Sequence, residues 1–243
     1  MGEKKLQGFT IIEVMLFLAI TGLIMAVFLT GIGTSLNRER YRDATGSFHD
    51  YIQGQYNLVA NVNNYRNPEE VCTSTGIVID PSAVATAGRG TSDCTIVGRI
   101  LHSSNDGQLV ESSQVYATSD DFSGDTDEQV LTAANLVSSP NADEYRVEWG
   151  VRLVQPTPNN AIPNNFSILI VRMPNSGVLR TFTSQTADLE PAEMITQSIP
   201  AEGFKICVDP DGLVSAASNP VGISIARNTS NSAGVTFVSE GDC

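Results

Sequence analysis

Residues 9–32 read FTIIEVMLFLAITGLIMAVFLTGI, and this stretch decides the fold. It is apolar except for Glu13 and a few Thr and Gly residues. As a helix rising about 1.5 Å per residue, it is long enough to cross a bilayer core of about 30 Å. A cleaved secretory signal would have an apolar core of roughly 7–15 residues followed by a small-x-small site. This run is longer and lacks such a site, so it predicts a membrane-spanning helix.

A single carboxylate, that of Glu13, lies within the apolar run. A charged side chain at the centre of a bilayer costs about 2.5–3.5 kcal/mol, so an acid in such a segment is treated as functional. An ordinary membrane anchor explains the length of the run but not this acid. The sequence therefore predicts a role for Glu13 in which its charge is compensated.

The residues on either side of the start of the run read KKLQG at residues 4–8 and FTIIEV at residues 9–14. Together they resemble the cleavage and methylation motif of type IV prepilins and type II secretion pseudopilins. The resemblance implies that a prepilin peptidase cuts between Gly8 and Phe9 and N-methylates Phe9. It also implies an inner-membrane assembly platform and a homopolymer or heteropolymer with other pilins as further partners.

Cleavage before Phe9 would create an α-amino group that is mostly cationic at neutral pH. In a helix that starts at Phe9, Glu13 lies one turn further on and on the same face. Its carboxylate can then neutralise the amine of its own chain or that of an adjacent subunit, and position alone leaves both alternatives open. The family resemblance implies the pairing between subunits, in which Glu13 sets the axial register.

The chain after Leu36 becomes amphipathic. Its apolar residues fall on one helical face, and Gln55 is the single polar residue there. These apolar residues are Tyr41, Ala44, Phe48, Tyr51, Ile52, Leu58, Val59 and Val62. Pro68 prevents continuation, so the helix is predicted to end near Asn64. We therefore expect a leader (residues 1–8), an apolar segment that spans the membrane or forms a filament core (residues 9–36), and an amphipathic half of the same helix (residues 37–64).

Residues 65–243 are predicted to form one β-rich head, which makes the chain an α+β protein with its helix packed on an antiparallel sheet. Alternating polar and apolar residues within 145–154 are typical of a strand with one solvent-exposed face. Nine strands are predicted, at 76–80, 95–101, 108–117, 145–154, 166–172, 178–183, 204–208, 222–226 and 234–238. Residues 204–212 and the two strands after them are similar to the closing sheet of pseudopilin H and related minor pilins.

Four cysteines lie beyond the apolar segment: Cys72, Cys94, Cys207 and Cys243. Their spacing contains no CxxC pair, which disfavours a structural zinc site. An even number of cysteines on the far side of a membrane is typical of disulfides in an oxidising compartment. Of the three possible pairings, we prefer Cys72–Cys94 with Cys207–Cys243, because each pair is local in sequence.

The acidic stretch at residues 120–128 is a weak candidate for a calcium site. Asp121, Asp125 and Asp127 could supply the oxygen ligands that calcium takes. The spacing does not fit the twelve-residue calcium loop, and a solvated acidic loop is the simpler interpretation.

The composition argues against nucleic-acid binding and against catalysis. The formal net charge is −13 at pH 7, whereas phosphate tracking needs clustered Lys and Arg. The two histidines, His49 and His102, belong to no recognisable triad or metal pattern. We therefore expect no cofactor and no enzymatic activity, and the resemblance to prepilins implies a filament subunit.

Several roles within this class stay open. The chain could be a major subunit, a minor tip pilin whose head binds a surface, a partner cell or DNA, or a type II secretion pseudopilin. The filament would then serve adhesion, motility or secretion. Glu13 favours incorporation along a filament, because tip members of the family often lack that acid. The expected location is a single-pass membrane precursor with a cytoplasmic leader, and then a periplasmic or extracellular filament.

Overall fold

The computed structural model describes residues 9–61, 67–73, 76–82, 94–156, 162–196, 203–211, 221–238, 241 and 243. A long N-terminal helix packs on antiparallel β-sheets, which confirms the predicted α+β class. The chain divides into two units, Met1–Arg40 and Tyr41–Cys243. The second unit contains all of the sheets and the part of the helix that packs on them.

The long helix, α1, runs from Ile11 to Ala60. Its buried side chains follow the helical period and are Tyr41, Ala44, Thr45, Phe48, Ile52, Gln55, Tyr56 and Val59. Two of these, Thr45 and Tyr56, were not assigned to the buried face by the sequence pattern. The hydroxyl of Thr45 donates to the carbonyl of Tyr41 at 3.0 Å, so its burial leaves no unpaired polar group. Leu58, assigned to that face, is 44% exposed because it lies at the edge of the stripe, and Val62 lies outside the described residues.

The other elements belong to the head. The short helices are α2 (Asp127–Ala133) and α3 (Pro191–Ile195). The strands are β1 (Glu70–Thr73), β2 (Gly76–Ile79), β3 (Thr95–Ser104), β4 (Leu109–Ala117), β5 (Leu136–Arg146), β6 (Arg152–Val154), β7 (Ser167–Arg172), β8 (Leu179–Ser184), β9 (Phe204–Asp209), β10 (Val221–Ile225) and β11 (Val235–Val238).

The strands form three antiparallel sheets. The largest sheet has five strands in the order β5-β4-β3-β7-β8, and a second has four in the order β11-β10-β9-β6. Strands β1 and β2 form a separate hairpin. Eight of the nine predicted strands are found, with ends that differ by a few residues.

The ninth prediction, one strand over residues 145–154, is wrong. Strand β5 ends at Arg146, a single 3-10 turn covers Glu148–Gly150, and β6 begins at Arg152 in the other sheet. Trp149 and Gly150 have φ values of 58° and 73°, and this left-handed pair turns the chain from one sheet to the other. Alternation continued through the turn because it reports which side chains are buried but not which sheet buries them.

Among the described residues, the head contains two large apolar clusters and a small one formed by Val154, Cys207, Val238 and Cys243. One large cluster lies between the buried stripe of α1 and both large sheets, and includes Phe48, Ile52, Ile168 and Ile206. The second large cluster lies on the opposite face of the five-stranded sheet, under α2 and α3, and includes Leu169. Successive residues of β7 therefore point into different clusters, which is why its four central residues, 168–171, are all apolar.

Both preferred disulfides are present. Cys72–Cys94 joins β1 to the residue that precedes β3, and Cys207–Cys243 joins β9 to a residue that follows β11 in the chain. The Glu70 carboxylate also fixes β1, because it accepts hydrogen bonds from Tyr116, Ser139 and Asn141. The hairpin is thus linked to the large sheet by a covalent bond and by a partly buried polar cluster.

Candidate functional site

Helix α1 begins with a capping box formed by Thr10 and Glu13. The backbone N–H of Glu13 donates to the Thr10 hydroxyl oxygen at 3.3 Å. In return, the backbone N–H and the hydroxyl of Thr10 each donate to Glu13 Oε2 at 3.1 Å. The sequence Thr-x-x-Glu before an apolar run is a known signature of this arrangement, and sequence reasoning overlooked it here. The helix therefore starts at Ile11, two residues after Phe9.

The capping box gives Glu13 a partner within its own chain. It satisfies a backbone N–H that the first helical turn cannot satisfy, and it places a negative charge at the positive end of the helix. A cap of this kind stabilises a helix by about 0.5–2 kcal/mol. Phe9 precedes the helix and, because it follows Gly8 in this chain, its nitrogen is an amide and not a free amine, so the pairing of a cleaved Phe9 amine with Glu13 stays a prediction. Glu13 thus has a local structural role beside any role in assembly.

The apolar segment exposes its large side chains. The exposed fraction ranges from 46% for Val14 to 85% for Phe9, and the most apolar 18 residues of α1 have no buried member. This helix is long and apolar enough to cross a membrane. The arrangement is consistent with a single-pass membrane protein.

The hydroxyls of Thr21, Thr30 and Thr34 in the apolar segment are satisfied by the backbone of the same helix. The hydroxyl of Thr21 donates to the carbonyl of Phe17 at 2.8 Å. Those of Thr30 and Thr34 donate to the carbonyls of Val27 and Gly31 at 2.9 and 3.0 Å. An unpaired hydroxyl in hydrocarbon costs several kcal/mol, so these bonds make the segment compatible with an apolar surrounding.

Three glycines in the segment, Gly22, Gly31 and Gly33, have no packing role among the described residues. A Cβ atom built on any of them would meet nothing within 4 Å. Small residues let neighbouring helices approach closely in an apolar medium. These positions are therefore candidates for helix–helix contact between chains.

The predicted processing site is only partly described. Gly8 and the rest of the leader lie outside the described residues, whereas Phe9 is described and is exposed. Cleavage after Gly8 and methylation of Phe9 stay predictions.

The acidic loop does not bring the three calcium candidates together. Asp121 is hydrogen-bonded to the hydroxyl and backbone N–H of Ser123, and these bonds lower the pKa of its carboxyl group. Asp127 opens α2 and forms an ion pair with Arg180 of β8. The backbone N–H of Asp125 donates to Gln129 Oε1 at 2.9 Å. In the described part of the chain, no three His, Cys, Asp or Glu side chains are grouped so that they could hold a metal ion.

Both histidines contribute to packing in the head. The ring of His49 stacks on Phe237 with centroids 4.2 Å apart, and its Nε2 lies 3.2 Å from the carbonyl oxygen of Val235. His102 Nδ1 lies 3.0 Å from the hydroxyl oxygen of Ser167. Burial lowers the pKa of His102, and the nearby carboxylates oppose that shift without cancelling it.

Comparison with models of protein families, with curated proteins and with solved structures finds no match to this chain. The class that fold and site define is thus an α+β protein whose N-terminal helix could span a membrane and whose head carries disulfides.

Proposed function

We propose that the chain is a structural subunit of a type IV pilus-like filament that polymerises through its apolar segment. The observation that carries the proposal is the exposure of this segment, which is part of the same helix that anchors the head. Apolar surface of this extent is unfavourable in water, because each Å² that is buried lowers the free energy by about 25 cal/mol. Two environments can cover it: lipid before assembly, and the same segments of other chains afterwards.

Assembly would exchange lipid contacts for protein contacts. Because lipid tails are as apolar as the side chains, association must be driven by close packing and by polar pairing rather than by the hydrophobic effect. Gly22, Gly31 and Gly33 offer positions for close packing. Glu13 offers the polar pairing, with the amine that cleavage before Phe9 would create. An assembly motor would supply the work of moving subunits out of the membrane.

The disulfides of the head support a location outside the cytoplasm. Structural disulfides form and persist in oxidising compartments. Cys207 and Cys243 are both buried, as expected for a disulfide that stabilises a fold. The head would therefore lie on the periplasmic or extracellular side, with the leader in the cytoplasm.

The experiment that tests the proposal separates the two roles of Glu13. Glu13→Gln keeps a capping box, because Gln can replace Glu at this position, but removes the charge. Thr10→Val keeps the charge and removes the hydroxyl of the cap. Each full-length variant is produced in a cell that assembles the wild-type chain. The mass of the N-terminus and the amount of chain in sheared filaments are then measured.

We expect both variants to be processed, Glu13→Gln to be largely missing from filaments, and Thr10→Val to be incorporated. The reverse result would assign Glu13 to helix capping and remove it from assembly. A wild-type chain that retains residues 1–8 and stays a membrane monomer would refute the filament proposal itself. In the same measurement, a dominant band would identify a major subunit and a trace band a minor one.

A further inference from the structure

The head contains a half-open cavity where the last turn of α1 meets the five-stranded sheet. Its volume is about 50 Å³. The pairing of β3 with β4 is irregular between Ile96 and Gly98, and both residues line the cavity. Apolar walls come from Leu58, Val59 and Val97, and the polar lining residues are Arg99, Gln114 and Arg172.

Arg99 carries an unsatisfied donor in this region. Its side chain is 12% exposed, and one terminal nitrogen donates to Ser112 Oγ at 2.8 Å and to Asp143 Oδ2 at 2.6 Å. The Nε atom is buried and has no hydrogen-bond partner. Buried polar groups are nearly always paired, so each exception in a folded protein requires an explanation.

Arg172 provides a second guanidinium group in the lining. It donates to the carbonyl oxygen of Ala60 at 3.5 Å, a long hydrogen bond. Among the described residues no carboxylate forms an ion pair with it. The one carboxylate bonded to Arg99, that of Asp143, is 81% exposed and therefore well screened by water. The cavity lining thus contains two guanidinium groups, whose positive charge is only weakly compensated by the exposed carboxylate of Asp143.

We propose that this cavity binds a carboxylate group between Arg99 and Arg172. A guanidinium presents N–H donors in a planar fork that matches the two oxygens of a carboxylate. The apolar walls suit a short aliphatic group attached to that carboxylate. The carbonyl end of α1 favours cations and partly offsets the attraction, so the affinity is modest. The carboxylate belongs either to a small free acid or to the C-terminus of a peptide, and the site is independent of filament assembly.

The test observes the arginine side chains directly. The full-length chain in a non-ionic detergent is labelled with ¹⁵N, and the Nε–H resonances of arginine are recorded during titration with sodium acetate at constant ionic strength. Sodium chloride is the control salt. N-acetyl-dialanine with a free C-terminus and its C-terminal amide form the second pair of ligands.

Wild-type protein is expected to show saturable shifts of the Arg99 and Arg172 resonances with acetate but not with chloride. Arg172→Gln should weaken acetate binding about tenfold or more, because a charge-assisted hydrogen bond is lost. Arg227→Gln, which removes an exposed cation outside the cavity lining, should leave binding unchanged. Tighter binding of the free dipeptide than of acetate assigns the site to peptide C-termini, and equal binding assigns it to small acids.

Three results would each overturn the proposal. These are shifts that stay linear in acetate concentration, shifts of the same size with chloride, and an affinity that Arg172→Gln leaves unchanged. The amide spectrum of the head shows whether a variant is folded. If Arg172→Gln does not fold, Arg172→Lys takes its place, since it keeps the charge, loses the planar fork, and should still bind acetate more weakly than wild type.

Discussion

The two halves of α1 contain similar apolar side chains with opposite exposure. Phe17 in the apolar segment is 65% exposed, whereas Phe48 in the head is completely buried. Both belong to the same helix and differ only in what surrounds them. The comparison teaches that helix formation does not decide burial: the head supplies its own apolar partner, and the apolar segment requires one from outside the chain.

The largest expected effect is a difference in unfolding free energy between two matched variants, Ile52→Ala and Leu23→Ala. Ile52 is fully buried and Leu23 is 68% exposed. Ile52→Ala should lower the free energy of unfolding of the head by about 2–5 kcal/mol, because it removes buried methyl groups and leaves a cavity. Leu23→Ala should change it by less than about 0.5 kcal/mol. Urea unfolding of the full chain in detergent, followed by the fluorescence of Trp149, measures both values.

The same two variants should behave in the opposite way during assembly. Leu23→Ala removes contact area that other chains would cover, so it should reduce the amount of chain in sheared filaments while the head stays intact. If Leu23→Ala destabilises the head as much as Ile52→Ala does, the exposed segment has a partner within the chain and the comparison fails.

The apolar segment was predictable from sequence because its length and hydropathy leave few alternatives. The buried face of α1 was predicted less well. The Tyr56 hydroxyl is buried against that of Thr181, a partner distant in sequence that cannot be read from the helical period. Burial of Thr45 is compatible with its polarity because its hydroxyl bonds to the Tyr41 carbonyl one helical turn earlier, an option that the apolar pattern does not reveal. The break at Trp149 was missed for a related reason, since alternation continues through a change of sheet.

The short helices α2 and α3 were also missed. They have only 7 and 5 residues, so their apolar residues give no clear helical period. Start signals were nevertheless present: Pro191 stands at the beginning of α3, and Thr126 with Gln129 forms a capping box at α2. The box of Thr10 and Glu13 has the same form. The Thr-x-x-Glu spacing alone would have suggested helix capping as one role for Glu13.

A second, smaller test concerns the hydroxyl of Tyr41, which links α1 to the four-stranded sheet. It donates to the carbonyl of Val208 at 2.7 Å and accepts from the N–H of Val221 at 2.8 Å. Tyr41→Phe leaves both backbone groups without this partner and should cost about 1–3 kcal/mol of unfolding free energy. Tyr145→Phe is the matched control, because its hydroxyl contacts the partly buried Ser47 and should cost less. Equal losses in the two variants would mean that the Tyr41 link does not hold the helix on the sheet.

The smallest expected effect is a pH dependence that arises in the head and not in the apolar segment. Burial lowers the pKa of His102, while Asp188, Glu190 and Glu111 oppose the shift. The unfolded chain therefore binds a proton more readily than the folded chain, and stability falls as the pH drops below the ordinary histidine value of about 6.5. His102→Asn keeps a donor toward Ser167 and removes the titrating group, so its urea midpoint should fall less than that of wild type between about pH 7.5 and about pH 5.

The carboxylates titrate in both proteins, so the difference between the pH dependences of the two urea midpoints isolates the contribution of His102. Parallel slopes would show that the imidazole is as free to protonate in the folded head as in the unfolded chain. In that case the packing of His102 beside Ser167 would not keep water away from the imidazole ring.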